Sequence, residues 1–288
     1  MALDRTLVPS GDQVKVAAYQ APLAACADAQ VISLIRHQVD RCEALGVELL
    51  CCPEALLGGL ADYVDHPERI AIDASAGGLD RVLAPLASDR VTTVLGFTEQ
   101  GEDGHLYNAA AVFARGTVLG IYRKMHPARN RSVYRAGAEA PTFTVGNVTF
   151  GVLICRDSLF PEPARLMLSR GAQVLLVPTN NGMPPVKGGS ETVVEARTCD
   201  IGRASESGVS VLRADVAGVD GGFASYGSSG IVNRDGRVLG TARALVADLV
   251  VADIDIRELQ HENGLGGAVP NNPLQRTRQK RRAAERER

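Results

Sequence analysis

Residues 148–165 read Val-Thr-Phe-Gly-Val-Leu-Ile-Cys-Arg-Asp-Ser-Leu-Phe-Pro-Glu-Pro-Ala-Arg, and this stretch decides the fold. Residues 148–154 crowd apolar and β-branched side chains around a single glycine, the pattern of a strand buried on both faces. The run stops at Cys155. Pro161, Glu162 and Pro163 then predict the first turn of a helix running toward Arg170. Proline suits that turn because its missing N–H would have no partner, and glutamate complements the positive helix end. Cys155 is thus expected at the carboxyl end of a central strand, in the bend before a helix, where open α/β sheets bind ligands. Neighbouring backbone N–H groups and the helix start are expected to favour thiolate there. The geometry is a nucleophile elbow in thiol form.

Working outward, residues 174–177 form a short buried strand, and the loop 178–185 beyond it opens on the same sheet edge as Cys155. On the amino-terminal side, 13–20 alternates as a strand. An amphipathic helix over 28–45 carries Val31, Leu34, Ile35, Gln38, Val39, Cys42 and Leu45 at three- and four-residue steps, and Gly46 closes it. Residues 47–52 are again a strand, so the unit is β-α-β with a right-handed parallel crossover. A helix over 75–88 leads to a strand at 92–98. Hairpins follow over 108–123 and, around Gly146-Asn147, over 142–154. A long helix at 190–207 precedes strands at 209–215, 227–232, 237–241 and 248–254. The expectation is an α/β fold, a four-layer α-β-β-α sandwich of two mixed sheets flanked by helices. It places one domain at 13–258, an extension at 1–12 and a basic tail at 259–288.

A net charge of −2 argues against general attraction to nucleic acid or membrane. No apolar run approaches the roughly 20 residues of a membrane-spanning helix, and the first ten residues lack the apolar core of a secretory signal. The cysteines at 26, 42, 51, 52, 155 and 199 include no C-x-x-C pair, and no histidine stands at metal-ligand spacing from them. Reduced thiols in a cytoplasmic protein, with no metal, are the expectation. Adjacent Cys51 and Cys52 should point to opposite faces of their strand. The Arg- and Lys-rich tail lacks aromatics and reads as a frayed helix or an arm on a partner subunit rather than a nucleic-acid contact.

Three fragments at strand ends carry the chemistry: Cys52-Pro53-Glu54, Tyr122-Arg123-Lys124 and Ile154-Cys155-Arg156-Asp157. Cys155 can act as nucleophile. Glu54 can take its proton and return it to a leaving amine, and Lys124 can set a fixed positive charge beside an oxyanion, helped by the backbone N–H of Arg156. In this order the fragments resemble the nitrilase, or carbon–nitrogen hydrolase, superfamily. The match includes apolar-Pro-Glu54, Tyr122-Arg-Lys124-Met-His126, Gly151-Val-Leu-Ile-Cys155-Arg-Asp157 with Phe160-Pro-Glu162, and Arg203-Ala204-x-Glu206, and spans about residues 13 to 255. The resemblance implies an ordered Glu54–Lys124–Cys155 triad, a thioester intermediate, no cofactor, a small-molecule amide or N-carbamoyl substrate, and a homodimer or higher homo-oligomer.

Departures from the family pattern narrow the reaction. Arg156 follows the nucleophile where an aromatic is common, and Cys-Arg-Asp resembles the amide-cleaving branches more than the nitrilases proper. A further family glutamate after the lysine aligns near Asn130, with Glu139 as the nearest acidic substitute, and Ser207 replaces an asparagine. His126 either lines the pocket or holds backbone groups of its loop. Asn180 and Asn181 are pocket candidates, Tyr63 is a candidate lid aromatic, and Arg129 and Arg131 are either solvated or grips for a substrate carboxylate. Alternatives to amide hydrolysis are a non-catalytic binding member, nitrile hydrolysis and acyl transfer.

Overall fold

The apolar stripe Val31, Ile35, Val39 and Cys42 builds helix α1 (Val31–Leu45), closed by Gly46 at φ +72, whose N–H returns to the carbonyls of Cys42 and Glu43. The helix connects β1 (Gln13–Pro22) to β2 (Leu49–Cys51), which pair in parallel as expected. The computed structural model describes residues 13–27, 30–75, 77–127, 132–184 and 189–256. The extension at 1–12, the tail at 259–288, and Arg129, Asn130 and Arg131 lie outside the described residues. After β2 come β3 (Ile72–Asp73), α2 (Gly78–Leu83), β4 (Thr92–Gln100), β5 (Leu106–Ala114) and β6 (Thr117–Arg123). They are followed by β7 (Thr142–Val145), β8 (Val148–Val152), α3 (Pro161–Ser169), β9 (Val174–Pro178) and α4 (Ser190–Ser207). The chain continues through β10 (Ser210–Ala214), β11 (Val216–Asp220), β12 (Phe223–Ser225), β13 (Gly230–Val232), β14 (Val238–Thr241) and β15 (Asp248–Asp255).

Two mixed sheets result. One has the order β12-β11-β1-β2-β4-β5-β6, with β15 also on β1 and β3 on β4; the other runs β14-β13-β10-β9-β8-β7. Their inner faces share a core that includes Val16, Cys51, Val94 and Tyr122 from the first sheet and Phe150, Val174, Leu176 and Val211 from the second, extending to Ala164 and Met167 of α3. A separate core packs Ala17, Leu50, Cys52, Leu95 and Phe113 of the first sheet against Ile35 of α1 and Leu79 and Leu83 of α2. This is the four-layer sandwich read from the sequence. Cys51 and Cys52 lie in different cores, as the strand alternation requires.

Some boundaries differ for physical reasons. The helix expected over 75–88 is α-helical only over Gly78–Leu83 and continues as a 3-10 turn at Ala84–Leu86, because Pro85 supplies no N–H to the ladder. The strand expected at 209–215 is two strands in two sheets. Buried Asp215 turns the chain between them, its carboxylate accepting the N–H of Val216 at 2.8 Å and of Ser228 at 2.9 Å. The strand expected from Gly227 begins at Gly230. Gly227 sits at φ +80 against the Gln20 side chain, which accepts the N–H of Ser229 at 3.3 Å.

One glycine fixes a later element of the site. Gly96 in β4 lies so close to the backbone of Pro53, Glu54 and Ala55 that an added Cβ would collide with it. Gly96→Ala is therefore expected to lose about 1–3 kcal/mol in urea unfolding through overpacking and to lower any activity that depends on the position of Glu54 in the fraction that folds. Unchanged stability and turnover would exclude this tight approach.

Candidate active site

The three strand-end fragments converge. Glu54 follows β2, its N–H donates to the Thr179 carbonyl at 3.3 Å, and the next residue, Ala55, takes φ +47. Lys124 follows β6, where its own N–H donates to the Asn108 carbonyl and its carbonyl accepts the N–H of Gly137, both at 2.8 Å. The side chains meet: Lys124 Nζ donates to Glu54 Oε1 at 2.5 Å, and each residue is only 2% exposed. Asn108 Nδ2 donates to the same oxygen at 2.7 Å, and the backbone N–H of Asn180 donates to Glu54 Oε2 at 3.0 Å. Both carboxylate oxygens are thus held by donors from separate segments of the chain. Burial works against the Lys124 charge, but Glu54, with Cys155 and Asp157, outweighs it and holds the ammonium above its ordinary pKa.

Cys155 stands at the head of a 3-10 turn, Cys155–Leu159, immediately before α3, with φ +46. A non-glycine residue there stores strain of about 1–3 kcal/mol and persists only when its surroundings over-determine it. Asp157 does much of that work. Its carboxylate accepts the N–H of Ile154 at 3.1 Å and of His126 at 2.8 Å, and the Tyr122 hydroxyl donates to it at 2.7 Å. Ser158 Oγ donates to the Cys155 carbonyl at 2.8 Å.

The expectation that the turn favours thiolate is corrected. Cys155 keeps some surface exposure as a residue, yet desolvation, followed by the negative charge of Glu54, pushes its thiol up to about 12 despite opposing pulls from Lys124 and Arg213. The thiol is therefore the resting form at neutral pH, and a base is needed to ionise it. The rate of iodoacetamide labelling at Cys155 should climb with unit slope from neutral pH past the ordinary thiol value of 9.0 without levelling there. Levelling below pH 9, read by peptide mass spectrometry, would contradict the resting thiol.

Of the other expected site residues, Asn180 and His126 touch the cluster or its turn, and the rest engage other partners. His126 stacks on Phe160 with ring centroids 3.9 Å apart, and its Nδ1 lies 3.0 Å from Asp157 Oδ1, so the ring braces the Cys155 turn. Arg156 is exposed, its guanidinium 5.7 Å from the Phe160 ring centre. The Asn180 amide group bonds the Glu54 carbonyl at 3.4 Å and the Gly182 N–H at 3.0 Å. The Asn181 amide is engaged by Asp215 at 2.9 Å and Ser228 at 3.2 Å. Tyr63 is 44% exposed and packs edge-on against Phe223. Glu139 is exposed on a cavity of about 520 Å³ lined by Glu99, Tyr107, Arg123 and Arg135, none of them in the Glu54–Lys124–Cys155 cluster.

Sequence reading missed Asn108, Arg213 and the anchoring role of Asp157. A polar or charged residue inside an apolar strand run, as at Asn108 and Arg213, was the available signal. Among the described residues, no group of three or more His, Cys, Asp or Glu is placed to hold a metal ion. No described helix is long and apolar enough to cross a membrane.

With this geometry in place, similarity to known proteins can be compared with it. A family profile described as carbon-nitrogen hydrolase matches residues 15–261. A nitrilase of Pyrococcus abyssi is 30% identical over 215 residues, covering 73% of this chain and 78% of that protein. An N-carbamoylputrescine amidase of Oryza sativa is 27% identical over 184 residues, covering 59% and 61%. An amidase of Nesterenkonia AN1, solved as a cysteine-to-alanine mutant, superposes with a TM-score of 0.69 at 28% identity, covering 86% of this chain and 93% of that one. Another structure of that amidase, at 26% identity and TM-score 0.66 over 86% and 93%, carries the acetamide moiety of fluoroacetamide added covalently at its active-site cysteine.

Proposed function

Because the chain belongs to the carbon–nitrogen hydrolase family, we propose that it hydrolyses a small non-peptide amide or N-carbamoyl compound through a thioester on Cys155. The observation that carries this reading is the buried Glu54–Lys124 pair, whose charges both act on Cys155, itself held at a strained positive φ. Glu54 takes the Sγ proton as sulfur attacks the carbonyl carbon. The developing oxyanion faces the Lys124 ammonium and the N–H of Arg156. The C–N bond then breaks, with Glu54 returning its proton to the leaving nitrogen, and ammonia or an amine departs. Glu54 next deprotonates a water that attacks the thioester. The C–S bond breaks, the acid is released, and the sulfur recovers its proton.

Coupling between the proton on sulfur and the charge of Glu54 means the site titrates as a unit rather than as separate groups. The covalent adduct on the Nesterenkonia amidase cysteine supports this chemistry by analogy. Arg156 after the nucleophile favours an amide over a nitrile substrate. The six free thiols suit a reducing compartment, and on that ground we place the enzyme in the cytoplasm. A homodimer is part of the same proposal, and sedimentation analysis would check it.

The test is intact-protein mass spectrometry after brief incubation with amides, N-carbamoyl amino acids and nitriles, with ammonia release followed in parallel. An acyl adduct on Cys155 together with ammonia from amides or carbamoyl compounds supports the proposal. Turnover of nitriles alone, or ammonia release retained in Cys155→Ala, would overturn it.

A further inference from the structure

A buried ion pair lies behind the nucleophile turn. Arg213 of β10 donates through Nε and Nη2 to Asp200 of α4, at 2.8 and 2.6 Å. Its remaining donors reach two other elements: Nη1 bonds Thr179 Oγ1 at 2.9 Å, and Nη2 bonds Ser158 Oγ at 3.0 Å. Arg213, Asp200, Thr179 and Ser158 are each at most 3% exposed. The bonds continue into the reacting groups. Ser158 Oγ donates its hydrogen bond to the Cys155 carbonyl, at 2.8 Å. The carbonyl of Thr179 accepts the Glu54 N–H at 3.3 Å, and Asn180, the next residue, donates its N–H to Glu54 Oε2 at 3.0 Å.

We propose that Arg213 is a positioning residue for the reaction, with Asp200 orienting a guanidinium that pins the Cys155 turn through Ser158 and the Glu54 support through Thr179. The proposal rests on the thioester reading and deepens it. One planar cation spans three elements, which a point-like ammonium cannot do, so lysine is not an equivalent replacement. The Cys155 backbone needs such a clamp because its positive φ relaxes once the hydrogen bond to its carbonyl is lost. The same guanidinium sets nucleophile and base relative to one another, since Cys155 and Glu54 are each hydrogen-bonded to a residue whose side chain it holds.

A buried ion pair could instead serve only the fold, and the experiment separates these roles. Ser158→Ala cuts the link to Cys155 and leaves Arg213–Asp200 intact; Thr179→Val cuts the link toward Glu54; Arg213→Lys weakens both. For the two smaller changes, kcat is expected to fall about ten- to hundred-fold with KM nearly unchanged, the scale of a displaced reacting group. Ser158→Ala placed in the Arg213→Lys background should cost little more, because that link is already weakened. Iodoacetamide labelling of Cys155, which needs no substrate, should slow in Ser158→Ala at equal folded fraction.

If Ser158→Ala and Thr179→Val lower only the melting temperature, with kcat, KM and labelling unchanged, the pair is structural and the proposal fails. Should Arg213→Lys not fold, the two smaller variants still decide. Hydrolysis persisting in Cys155→Ala would sink the thioester reading separately, while labelling in Ser158→Ala would still report whether the turn is clamped.

Discussion

Glu54→Gln is expected to stop hydrolysis while making Cys155 easier to alkylate at neutral pH. The substitution preserves shape and the hydrogen bond from Asn180, but removes the proposed base, and loss of a positioned general base costs about 10²–10⁴-fold in rate. It also removes the charge that, after burial, does most to raise the Cys155 thiol. The sign follows: without that charge the thiol pKa falls, the thiolate fraction at a given pH rises, and the iodoacetamide profile moves to lower pH. Stability falls as well. Lys124 is left as an uncompensated cation at 2% exposure, and breaking one side of a buried pair costs about 3–5 kcal/mol. Urea unfolding, labelling and turnover therefore move in three stated directions. Hydrolysis within ten-fold of the parent, or labelling shifted to higher pH, would mean that Glu54 is not the base facing Cys155.

Removal of the proposed nucleophile is expected to have the largest effect. Cys155→Ala should lower kcat by about 10⁶-fold, the scale seen when the attacking group of a covalent hydrolase is deleted. The fold should survive, since the anchors of the turn through Asp157 and Ser158 use backbone atoms of residues 154 and 155 rather than the sulfur. Circular dichroism and melting temperature close to the parent, together with retained substrate binding in a calorimeter, complete the expected result. Turnover within a hundred-fold of the parent would displace Cys155 from the reaction.

What the sequence showed and what it hid divide along the range of the forces involved. The strand, turn and helix around Cys155 are written locally, in an apolar run and in Pro161-Glu162-Pro163, and they appear in the structure with β8 ending at Val152 and α3 beginning at Pro161. Glu54 and Lys124 were legible because each ends a strand in a recognisable peptide. Asn108 was not, because it sits inside β5 and its partner is fifty-four residues away in sequence. Arg213 was hidden inside what read as an apolar strand, and its partners in α4, the turn and the loop after β9 meet only in the packed molecule. The thiolate expectation failed for a related reason. Local dipoles were visible in the sequence, whereas the burial that overrides them belongs to the folded core.

The neighbouring thiols Cys51 and Cys52 offer a different use. Each is fully buried, one in the core between the sheets and the other in the core under α1 and α2. They are consecutive residues, Cys51 ending β2 and Cys52 just past it, yet are sealed by different layers, so they form a matched pair of reporters joined by one peptide bond. A brief pulse of a thiol reagent during refolding, read by fragment mass, would record which seam of the sandwich closes first. Synchronous protection would mean that the four layers assemble in one event; staggered protection would order the seams in time, with no foreign probe introduced.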